Sequence, residues 1–156
     1  MDKAIILNSE LHGFRDPSEE DIIGLISSGV DVNIPVSNWY PLQLAIYRGW
    51  SADVVKAIIL AGADLNVCAN IDPDSKYYLK VEYGEVQNLV PISIAAILGR
   101  TDVVKLLIDA GADVNKKSSC GRSPLYALYD IPEFDEVSED DYKKIEKLLL
   151  DAGAEK

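Results

Sequence analysis

The chain has 156 residues, 48% hydrophobic and 26% charged, the proportions of an ordinary globular protein with room for a buried core. Its 26 acids against 15 bases leave a net charge of −11, which repels phosphate backbones and anionic membranes and attracts basic proteins. No apolar run approaches the ~18 residues a membrane helix needs. The stretch Ile5-Ile6-Leu7 is too short for a secretory signal, so a cytoplasmic location is expected. In that reducing setting free thiols at Cys68 and Cys120 are favoured over a disulfide.

Taken in chain order, residues Asp2 to His12 predict a first helix, with Gly13 as its break. A second helix over Asp21-Ile22-Ile23-Gly24-Leu25-Ile26 closes on Gly29-Val30-Asp31-Val32-Asn33. The next unit opens with Tyr40-Pro41-Leu42-Gln43-Leu44-Ala45, two residues after Asn38. It continues through Val54-Val55-Lys56-Ala57-Ile58-Ile59-Leu60 and closes on Gly62-Ala63-Asp64-Leu65-Asn66. A third repeats the pattern with Val90-Pro91-Ile92-Ser93-Ile94-Ala95, then Val103-Val104-Lys105-Leu106-Leu107-Ile108 and Gly111-Ala112-Asp113-Val114-Asn115. The fourth runs from Ser123-Pro124-Leu125-Tyr126-Ala127-Leu128 to Ile145-Glu146-Lys147-Leu148-Leu149-Leu150 and Gly153-Ala154-Glu155. Proline suits the first position of a helix, and glycine suits the left-handed turn that ends one. Gly29 to Gly62 and Pro91 to Pro124 are each 33 residues apart, so both signatures share one period.

These two signatures in register resemble the ankyrin repeat, a turn followed by a T-P-L-H-x-A helix, a second helix and a G-A-D-V-N ending. The resemblance implies an all-α solenoid: about four stacked helix-turn-helix repeats with β-turn fingers, in a single domain over residues 1–156. The repeats fall near 1–33, 34–66, 67–115 and 116–156. The motif histidine is replaced by Gln43, Ser93 or Tyr126 and the motif threonine by Tyr40, Val90 or Ser123, so this scaffold is expected to lean on packing more than on turn hydrogen bonds. Expected core positions are Leu42, Ala45, Val55, Ile58, Ile59, Ala95, Val104, Leu107, Leu125 and Leu148.

Two interruptions break the period. Asn66 to Pro91 spans 25 residues against 9 from Asn115 to Pro124, and the extra length near 68–86 carries Tyr77, Tyr78 and Tyr83. Its aromatic and β-branched content reads as an elongated β-hairpin. The second, Asp130 to Asp141, holds seven acids and no base. There Ser138 and Asp141 read as the N-terminal cap of the last helix, whereas Glu133, Asp135 and Glu136 are left to meet a basic partner or solvent.

Chemistry finds little support. The single histidine, His12, supplies no metal pair, the cysteines lack C-x-x-C spacing, and the glycines fall at helix ends, not in a phosphate loop. No catalytic residue, metal or cofactor is assigned. The family resemblance instead implies protein binding through turns and inner helices. Carried onto this chain, it names Trp39, Tyr47, Arg48, Leu89, Ile97, Arg122 and Tyr129, with Trp39, Tyr47, Leu89, Ile97 and Tyr129 as an aromatic and apolar track. The finger tyrosines Tyr77, Tyr78 and Tyr83 and the acids Glu133, Asp135 and Glu136 extend it. The expected partner is a basic protein, occluded by a chain that is monomeric when unbound; immunity proteins that neutralise a bacterial toxin are one class of that description. A structural adaptor joining two proteins is the alternative, and a small-molecule sensor or enzyme a remote one.

Overall fold

The computed structural model describes residues 2–13, 17–36, 39–68, 89–119, 121–130 and 137–156. The expected β-hairpin near 68–86 lies outside them almost entirely, as do residues 131–136 of the acidic interruption. Among the described residues there are eight α-helices and no strand: α1 (Lys3–Leu11), α2 (Glu19–Ser27), α3 (Pro41–Tyr47), α4 (Ala52–Leu60), α5 (Pro91–Ile97), α6 (Thr101–Asp109), α7 (Pro124–Asp130) and α8 (Glu139–Asp151). They belong to two compact units, one holding α1–α4 and the other Leu65–Cys68 with α5–α8.

Each unit consists of two helix pairs. In the first, inner helix α1 packs on inner helix α3 and outer α2 on outer α4, while α1 meets α2 and α3 meets α4. The second unit repeats this with α5 on α7, α6 on α8, and the pairs α5–α6 and α7–α8. Inner helices α3 and α5 are buried nearly all round, α5 at every residue from Pro91 to Ile97. The outer helices bury one stripe each: Val54, Val55 and Ile58 in α4, Val103, Val104 and Leu107 in α6, and Ile145 and Leu149 in α8. That helical spacing leaves the expected core residues Ile59 and Leu148 only half-buried, because each sits one residue off the stripe.

The two classes of helix start differently. Inner helices α3 and α5 begin on Pro41 and Pro91, with no side-chain cap from Tyr40 or Val90. Three of the four outer helices use serine; α6 follows Arg100 with no side-chain cap. Ser18 forms a capping box with Asp21, Ser51 accepts from Val54 N–H at 3.4 Å, and Ser138 accepts from Asp141 N–H at 3.1 Å. The cap expected at Ser138 is therefore present.

Glycine ends the helices as the sequence predicts. Gly13, Gly29, Gly62, Gly111 and Gly153 all have φ between 76° and 97°. Gly99, after α5, is the most constrained. It has φ 67°, and a Cβ there would lie 2.3 Å from Val137 Cγ1, so a side chain is excluded on two counts.

The closing asparagines make recurrent hydrogen bonds within each unit. Asn33 Nδ2 donates to the Gly62 carbonyl at 2.9 Å and its Oδ1 accepts from Asp64 N–H at 2.7 Å. Asn115 makes the same two bonds to Gly153 and Glu155, at 2.9 and 2.8 Å. Asn66 Oδ1 accepts from Asp113 N–H at 2.9 Å. The motif-histidine position, by contrast, has lost its bonding role in α5: Ser93 is buried and its hydroxyl has no hydrogen-bond partner among the described residues.

Candidate binding surface

The turns that precede the inner helices are built by short backbone pairings. Val36 and Trp39 exchange both N–H···O=C bonds, at 3.0 and 3.1 Å, in an isolated antiparallel bridge. In the second unit Ser118 N–H donates to the Arg122 carbonyl at 2.9 Å, and Ser118 Oγ accepts from Arg122 N–H at 3.1 Å. Gly121 supplies the left-handed residue of that turn at φ 81°, as its position in the motif predicts.

The expected contact residues divide by burial. Trp39, Leu89 and Ile97 are 3, 0 and 2% exposed, so they belong to the interior and the continuous surface track is corrected at those three positions. The motif fixes where a residue stands in the repeat, but packing decides which faces of that turn and helix are covered. Trp39 stacks obliquely on Tyr47, with ring centroids 5.5 Å apart and planes inclined by 32°. Tyr47 is half-buried; burial raises its pKa, partly offset by the Arg48 charge. Arg48 is exposed, and its guanidinium donates to the His12 carbonyl, tying α3 to the end of α1. Trp50 Nε1 strengthens the same junction by donating to the Leu11 carbonyl at 2.9 Å.

Arg122 is half-buried in its turn, whereas Tyr129 is 57% exposed at the end of α7. The Tyr129 hydroxyl donates to Glu146 Oε1 on α8, which raises the phenol pKa. Tyr77, Tyr78, Tyr83, Glu133, Asp135 and Glu136 lie outside the described residues.

The residue that motif reading passed over is Tyr126, 55% exposed although its counterpart Ser93 is fully buried. The difference follows from neighbours: α5 is packed against α7, whereas among the described residues no inner helix follows α7. A cavity of about 310 Å³ opens at that face, floored by Leu125 and bordered by Tyr126, Tyr129, Lys117, Glu155 and Lys156.

Charge is segregated along the repeat. Residues 32–52, 86–101 and 114–129, which comprise the turns of three repeats and their inner helices except Asp130 at the end of α7, contain no acid at all. The last of these holds three bases, Lys116, Lys117 and Arg122. Carboxylates gather on the outer helices instead, where α2 opens with Glu19, Glu20 and Asp21 and α8 with Glu139, Asp140 and Asp141. This distribution was open to inspection in the sequence, but a single net charge conceals it.

No group of histidine, cysteine or acidic side chains among the described residues could hold a metal ion. None of the helices is long and apolar enough to cross a membrane. Cys68 is a free thiol, its Sγ 3.9 Å from the Lys117 carbonyl.

Paired short helices, glycine-closed outer helices and asparagine bridges define an α-helical repeat protein. The family model for ankyrin repeats in three copies matches residues 18–118, and the chain belongs to the ankyrin-repeat family. No curated protein matches the chain. Ankyrin repeats are protein–protein interaction modules, as a class non-enzymatic.

Proposed function

We propose that this chain is a non-enzymatic module that occludes a basic protein partner. The observation that supports this reading is the placement of its carboxylates: acid triplets open α2 and α8, and residues 130–141 carry seven acids and no base. Each such acidic segment attracts a cationic surface over a Debye length of about 8 Å at physiological salt. Tyr129, exposed immediately before that stretch, supplies an aromatic anchor beside it, with Glu133, Asp135 and Glu136 as the charged contacts. Tyr47 and Arg48 in the first unit, Arg122 in the second, and Tyr77, Tyr78 and Tyr83 complete the proposed contact set. In its narrower form the partner is a bacterial toxin and the chain its immunity protein, monomeric and cytoplasmic before capture.

The test is recovery of a tagged copy from its source cells at low and at high salt, with the co-purifying proteins identified and assayed. One stoichiometric basic partner, released by salt and inactive in the complex, is the expected result; a toxin as that partner establishes the narrower form. Several unrelated proteins, or none, contradict a dedicated occluding module.

The adaptor reading draws support from a separate observation. Acid-free segments in the turns and inner helices, beside acid-rich outer helices, give the chain two kinds of surface, suited to partners of different charge. It predicts that the captured basic protein keeps its activity while a second protein is bound elsewhere.

A further inference from the structure

The cavity beside α7 differs in sign from the chain as a whole. Its border carries the ammonium groups of Lys117 and Lys156 against the carboxylate of Glu155. Lys116 and Arg122 stand in the same turn, within the acid-free segment 114–129 of a chain whose net charge is −11. Lys117 and Lys156 are exposed and form no ion pair with the described residues, whereas Lys143, Lys144 and Lys147 of α8 are each paired with a carboxylate at 2.7–3.4 Å. The nearby carboxylate of Glu146 is engaged by the Tyr129 hydroxyl.

The cavity also has an apolar component that the fold leaves uncovered. Leu125 is buried at its floor, and Tyr126 and Tyr129, three residues apart on α7, place two half-exposed rings on one side. The equivalent face one repeat earlier is filled, since Ser93 on α5 is buried and α5 packs against α7. A volume of about 310 Å³ accommodates one or two large side chains.

We propose that this cavity binds an acidic segment of a protein partner, with an apolar side chain seated on Leu125, Tyr126 and Tyr129 and flanking carboxylates paired with Lys117 and Lys156. The site builds on the protein-binding function and shares Tyr129 with the proposed basic-partner surface, but it prefers the opposite charge. The charge of the peptide that binds therefore tells the failure of one reading from the failure of the other.

The experiment is a magnetic-resonance titration of the isotope-labelled full chain with two capped peptides. One carries a single phenylalanine flanked on each side by two glutamates; the other has lysine at each glutamate position. The acidic peptide is expected to shift the amide signals of Lys117, Gly121, Tyr126 and Tyr129 saturably, and the lysine peptide to leave them in place. The double variant K117E/K156E should weaken the acidic peptide at least tenfold with an unchanged circular-dichroism spectrum, because both side chains are exposed. Y126A, also at an exposed position, should weaken it without changing the charge preference. Equal shifts from both peptides, shifts confined to other residues, or no shifts at all would overturn the proposal.

Discussion

The inner and outer helices of this chain share one repeat but answer to different physical demands. Inner helices α3 and α5 are short, start on proline, lack side-chain caps and are buried almost completely. Outer helices are held by serine caps in three cases, keep one apolar stripe, and present their charged faces to water. Stability therefore resides mainly in the inner layer, and charge in the outer one. The same division separates two recognition chemistries, since the acid-free segments and the acid triplets lie on different parts of the repeat.

The sharpest way to break this comparison is to remove the same side chain from each layer. Leu42 of α3 is 1% exposed, whereas Leu60 of α4 is 76% exposed. L42A should cost about 2–5 kcal/mol by leaving a cavity. L60A should stay within about 0.5 kcal/mol. Urea unfolding of both variants reads the difference as a shift in midpoint, and similar losses would refute the layering.

The asparagine bridges come next. N115A removes the bonds to Gly153 and Glu155, worth about 1–2 kcal/mol together at the usual net value of a hydrogen bond. Faster amide exchange from residue 153 onward should accompany the loss; unchanged exchange would show that the bridge holds nothing. A smaller effect is expected from S138A, about 1 kcal/mol, through loss of the cap on α8.

The mildest test uses pH. The Lys143 ammonium beside Glu139 holds that carboxyl below its ordinary range, and the Ser138 hydroxyl, with Lys144, does the same for Asp141. Depressed carboxyl pKa values contribute stability that is present above the unfolded values, near pH 4, and lost as pH falls through the folded ones. Helicity of α8 should accordingly decline below about pH 4. The decline should be smaller in E139Q/D141N. Because these groups are fully exposed, a small change is the expected result.

Much of the fold was legible because its signals are local. Pro41, Pro91 and Pro124 begin helices, and Gly29, Gly62, Gly111 and Gly153 end them, since each position demands a backbone conformation that few residues meet. The cap at Ser138 is equally local. The surface was less legible because exposure depends on neighbours. Trp39, Leu89 and Ile97 occupy contact positions of the motif yet pack inside, while Tyr126 occupies a position that is buried in α5 and emerges on α7. Burial at Leu42 and Leu107 follows from periodicity; the uncovered face of α7 follows only from which helices pack against it.

The most direct test of the central claim is the association rate of the captured partner across a salt series. It should be measured for the native chain and for a variant with Glu133, Asp135 and Glu136 changed to lysine. The account predicts that the native rate falls steeply with salt, and that the variant associates at least tenfold more slowly at low salt with little salt dependence. Equal rates for the two proteins, insensitive to salt, would contradict recognition of a basic partner by the acidic segment 130–141.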